Sequence, residues 1–148
     1  METKIQKEYI DWGFGFPVRL RNVPMIKVRG IWTPKVDYNL LTKNVLIGLA
    51  FKSSRLTGSE IRFIRHHFEM TLEAFAKRFC VTHVAVLKWE KTQDEVTAMN
   101  WTTEKDIRLF VLASLSSKPI ELAKLYSALE SLPTGKSTSL IFDVKKIA

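Results

Sequence analysis

Residues 80–91 read CVTHVAVLKWEK, and the fold depends on whether this stretch is a two-faced helix or half of a cysteine–histidine site. Thr82 suits the cap of a helix running to about Lys91, since its hydroxyl can accept from a free amide of the first turn. On that helix Val86 and Trp89 lie three apart and, with Val81 before them, form an inward patch against Ile64, Phe75 and Ala76. Val84, Leu87, Lys88 and Lys91 fall at i, i+3, i+4 and i+7 and make a second face. Two aliphatics among two lysines suit a DNA major groove, where cations meet phosphate and apolar groups meet thymine methyls. Exposed aliphatics also suit a protein surface, and the stretch alone leaves both occupants open.

Working upstream, Thr57-Gly58-Ser59-Glu60 fits a capping box, followed by Ile61, Ile64 and Phe68 on one helical face. Thr71 caps a second short helix whose Leu72, Phe75, Ala76 and Phe79 share a side and which ends at Cys80-Val81. Three short helices with connections this brief have little freedom in how they pack.

Further out, FPVRLR (16–21) and MIKVRGIW (25–32) alternate apolar and basic residues, with Asn22, Val23 and Pro24 suited to a reversal. The spacing predicts a hairpin after a polar leader, with Phe16, Val18, Leu20, Ile26 and Val28 inward and a basic outer face. That basic face reads either as charge guarding edge strands or as a nucleic-acid contact. Asp37 caps a helix to about Phe51, and KSSR (52–55) reads as a polar connector and boundary. Beyond a polar loop, Thr103 and Asp106 form an approximate box before Ile107, Phe110, Val111 and Ser114. Pro119 opens a last helix with Leu122, Leu125, Tyr126 and Leu129 as its stripe. SLIFDV (139–144) alternates as a strand, for the hairpin or for a second subunit. The expected division is 1–52, a hairpin plus helix for partner binding or dimerisation; 56–116, a helix-turn-helix DNA-binding domain; and 117–148, a helix and strand for dimerisation.

The chain has 148 residues, a formal net charge of +8 and a pI near 9.7, which favours a polyanionic partner, nucleic acid first and an acidic membrane surface second. Cys80 is its one cysteine, so neither an intramolecular disulfide nor a Cys-rich zinc site can be assembled. It reads as a small buried hydrophobe in the turn. The N-terminus lacks an apolar stretch of signal-peptide length, and VLIGLAF (45–51) is too short to span a bilayer, so a cytoplasmic protein is expected.

EMTLEAFAKRFCVTHVAVLKWEKT (69–92) resembles the helix-turn-helix of the Xre/Cro-like repressors. Carried over, the resemblance implies that Thr71 and Thr82 cap and also present to phosphate. His83, Val84, Leu87 and Lys88 take the base-facing positions, with Lys91 on the same face, and Arg65 and Glu90 are the structural pair. Leu72 replaces a common glutamine and Cys80 replaces the turn glycine. With LTGSEIRFIR (56–65) included, the order of elements is similar to antitoxins of the MqsA/YgiT type, but the paired Cys-x-x-Cys motifs are absent.

The resulting expectation is a mainly α fold: a helical bundle containing a helix-turn-helix DNA-binding domain, with a small N-terminal β-hairpin and a short C-terminal strand. Its function would be that of a dimeric, sequence-specific transcriptional repressor on a palindromic operator in double-stranded DNA, as antitoxin or autoregulator, with a toxin as the further partner. The alternative is a protein-interaction module that keeps the helices as a scaffold. No catalytic role, metal, cofactor or membrane is expected.

Overall fold

A computed structural model describes residues 2–147. It overturns the mainly helical expectation: the fold is mixed α/β, with 46% helix, 21% strand, a four-stranded mixed sheet and six helices. Two compact units divide the chain, Met1–Val45 with Ser139–Ala148, and Leu46–Thr138.

In the first unit the polar leader is itself a strand, β1 (Thr3–Asp11), antiparallel to β2 (Val18–Val28). There is no reversal at 22–24. β2 runs straight through, and the chain turns instead at Arg29-Gly30, both with positive φ, as a tight two-residue hairpin requires. β3 (Ile31–Pro34) pairs antiparallel with the far half of β2, and β4 (Leu140–Asp143) pairs parallel with its near half. β2 therefore carries β1 on one edge and β3 and β4 end to end on the other.

Asn22 explains why the alternation misled. Its φ of 54° lies in the left-handed region, which asparagine tolerates better than most residues. The residue shifts the inward phase by one: Val18 and Leu20 are buried before it, Val23 and Met25 after it, while Val28 is exposed. Its amide donates to the Asp143 carboxylate at 3.0 Å. Pro24 sits opposite Ile5 within the ladder, so a residue typical of turns lies in a central strand. The basic face is partly neutralised, because Arg19 pairs with Glu8 and Lys27 with Glu2, and Lys4 lies over the Trp32 ring at 4.4 Å.

Helix α1 (Tyr38–Ala50) starts in this unit, and Asp37 Oδ1 accepts from the amides of Asn39 and Leu40. Leu41 and Val45 are fully buried. The Tyr38 hydroxyl donates to the buried Asp11 carboxylate at 3.0 Å.

The second unit holds the end of α1 and five further helices: α2 (Gly58–His67), α3 (Leu72–Arg78), α4 (His83–Lys91), α5 (Trp101–Leu115) and α6 (Pro119–Ala128). The capping box at α2 forms in both directions. α5 starts earlier than expected: the cap is Asn100, whose Oδ1 accepts from the Thr102 amide, and Thr103 and Asp106 lie inside the helix. On α6 only Leu125 and Leu129 of the expected stripe are buried, and Tyr126 is 61% exposed.

KSSR is no loose connector. Lys52 is buried and donates to both oxygens of buried Glu60, at 2.9 and 2.8 Å. Fully buried Arg108 donates to the carbonyls of Ala50, Lys52 and Ser54 and to Glu104, which also accepts from Arg55. One arginine thus satisfies the open end of α1, where backbone acceptors would otherwise be orphaned.

Candidate nucleic-acid interface

The candidate surface is built by α2, α3 and α4. Thr71 Oγ1 accepts from the Ala74 amide at 3.0 Å and Thr82 Oγ1 from the Ala85 amide at 3.1 Å, so each threonine opens its helix. The turn between them is closed by the Val81 amide donating to the Ala76 carbonyl, with Cys80 in the left-handed conformation at φ 58°. In that position the side chain is exposed, which corrects the expectation of a buried thiol.

The two faces of α4 separate. Val86 and Trp89 are buried, whereas Thr82, His83, Val84, Leu87, Lys88 and Lys91 are exposed, as is Thr71 at the start of α3. Val84 keeps 47% and Leu87 39% of its surface open. No acid stands on the exposed face. The single acid of α4, Glu90, is turned to Arg65, whose Nε and Nη2 donate to its two carboxylate oxygens at 2.6 and 2.9 Å. Arg65 also donates to the Met70 carbonyl, so it holds the end of α2 and the end of α4 together.

A second clamp was not legible in the pattern. A Cβ on Gly58 would lie 2.2 Å from the Trp89 carbonyl oxygen and 2.6 Å from Thr92 Oγ1. The Ser59 amide donates to the Gln93 carbonyl, and the Thr92 hydroxyl donates to Trp89 O. The start of α2 is thereby seated against the end of α4, and only a residue without a side chain fits there. In sequence, Gly58 looked like one position of a capping box; nothing local marks its long-range contact.

α3 adds Lys77, which is exposed, and Arg78, which is paired with Asp106 at 3.5 Å and stacked over Phe79 and Phe110. Elsewhere in this unit an open hollow of about 500 Å³ has a mixed lining, apolar at Phe51, Leu125, Leu129 and Leu132 and polar at Ser53, Ser131 and Thr134. Among the described residues no three His, Cys, Asp or Glu side chains are placed to hold a metal ion. No helix among them is long and apolar enough to cross a membrane.

No family model, curated protein or solved structure matches this chain.

Proposed function

We propose that the second unit is a sequence-specific binder of duplex DNA, with α4 entering the major groove and the protein acting as a dimeric transcriptional repressor. The observation that carries this reading is the partition of α4. Its buried side anchors it to the unit, and its open side offers two lysines, a histidine and two aliphatics with no acid among them. Such a face meets a polyanion without repulsion and still presents groups that distinguish base edges. One short helix reads only a few base pairs, so a two-fold dimer on half-sites about 34 Å apart supplies the needed length. The resemblance to Xre/Cro-like repressors and MqsA/YgiT-type antitoxins suggests the setting, an autoregulatory repressor or the antitoxin of a toxin pair.

Selection of binding duplexes from a random pool tests the proposal. An enriched, two-fold-symmetric motif is the expected result. If about six phosphates are neutralised per dimer, log K should fall against log salt with a slope near 0.9 times that number. Lys88→Ala should cost about 1–3 kcal/mol on the selected site if it contacts a base. Unchanged binding by both Lys88→Ala and His83→Ala would remove this face from the interface.

A second reading, protein interaction, is favoured by a different observation. The sheet leaves Ile5, Val28 and Ile31 at 62%, 46% and 68% exposure on adjoining strands. Copurification of a defined partner in fixed ratio, lost on Ile31→Asp, is the outcome that would support it.

A further inference from the structure

We infer that Val84 and Leu87 read the 5-methyl groups of pyrimidines, so that the protein takes 5-methylcytosine for thymine at two positions of its site. This rests on the proposed DNA-binding role of α4 and adds a chemical class of ligand to it.

Neither Val84 nor Leu87 has a hydrogen-bonding side-chain atom, so neither can read the donors and acceptors of a base edge. Each keeps less than half its surface open, 47% for Val84 and 39% for Leu87. A few methyl-sized contacts fit that area better than the broad buried anchor of a protein interface does. Their neighbours on the face are Lys88 and Lys91, both exposed, whereas an apolar protein partner would have to strip water from those ammonium groups. In the major groove the only apolar feature of a base-pair edge is the group on pyrimidine C5. Lysines beside it remain near phosphate or a guanine edge, hydrated or paired.

Spacing narrows the contact. Three residues of helix advance about 4.5 Å, and successive bases of one strand are about 3.4 Å apart. Val84 and Leu87 therefore span adjacent or next-but-one pyrimidines. Lys88 follows Leu87 directly and suits a guanine alongside, through its O6 and N7. Thymine and 5-methylcytosine carry the same methyl on the same carbon and differ at C4, which an aliphatic side chain does not interrogate.

The test uses the duplex enriched by selection, resynthesised with deoxyuridine for each thymine in turn, and with either cytosine or 5-methylcytosine (opposite guanine) at the sensitive positions. Each lost methyl should weaken binding about fourfold, the factor for burying one methyl-sized group. 5-Methylcytosine should recover most of what cytosine loses. Val84→Ala and Leu87→Ala should each erase the methyl effect at one position while keeping the salt slope; both side chains are exposed, and matching thermal melts would verify folding. Lys88→Ala should bind more weakly yet keep the methyl effect. Equal affinity for thymine and uracil duplexes, with cytosine and 5-methylcytosine indistinguishable, would overturn the inference and leave DNA binding standing. Failure to enrich any duplex would remove both.

Discussion

Arg65 and Glu90, twenty-five residues apart, meet in a two-pronged ion pair that joins the end of α2 to the last turn of α4. Their side chains are 12% and 9% exposed, so water does little to screen the pair. Glu90→Gln should therefore destabilise the protein by about 3 kcal/mol, the lower end for breaking a buried pair on one side. Denaturant unfolding measures this. A loss below about 0.5 kcal/mol, typical of exposed pairs, would show the bridge to be a surface ornament.

Gly58→Ala adds one methyl group where the nearest atom is the Trp89 carbonyl oxygen, at 2.2 Å. That oxygen belongs to backbone and cannot rotate aside. The substitution should cost about 3 kcal/mol, the upper part of the range for overpacking, and lower the melting temperature by roughly 6–12 °C. Because the displaced carbonyl lies on α4, any DNA affinity should fall with it even at temperatures where the variant remains folded.

Arg108 is buried with Glu104 one turn before it, and three carbonyls depend on its guanidinium. Burial lowers its pKa, while the neighbouring Glu104 carboxylate opposes that shift. Arg108→Leu should destabilise by about 4 kcal/mol, since three buried carbonyls lose their donor and Glu104 loses one of its two arginine partners. Glu104 still has Arg55. The double variant with Glu104→Gln should therefore lose measurably less than the sum of the two single losses, which a double-mutant cycle reads directly.

Tyr38 has its pKa pushed up from 10.0 to about 12, first by burial and then by its hydrogen bond to the Asp11 carboxylate. The folded state holds this proton more tightly than the unfolded chain does. The stability it confers is thus complete below pH 10 and is lost as the pH rises towards 12. Ultraviolet titration should find a phenol ionising near 12, and Asp11→Asn should bring that transition down. An unchanged late transition in Asp11→Asn would sever the assigned link.

How much could be read from the chain alone follows the range of the interactions involved. The caps at Thr57, Thr71 and Thr82 and the periodicity of Ile61, Ile64, Val86 and Trp89 are encoded within one or two helical turns, so those helices were legible. The inner and outer faces of α4 followed from the same local spacing. The sheet was misjudged because Asn22 inverts the alternation and because β1, with Ile5 and Ile10 exposed, lacks the inward apolar rhythm of a core strand. Its place is set by pairing with β2.

By itself, then, the sequence determined the helices of residues 57–91, their caps and the side from which Lys88 projects, since hydrogen bonds and apolar spacing act over a few residues. Only the tertiary structure decided that β2 is a central strand taking β4 in parallel from the other end of the chain, that KSSR is a buried polar hub, and that Gly58 must have no side chain. Each of these depends on groups distant in sequence meeting at a few ångströms. No local pattern encodes such a meeting, because its energy comes from a partner that only folding brings within reach.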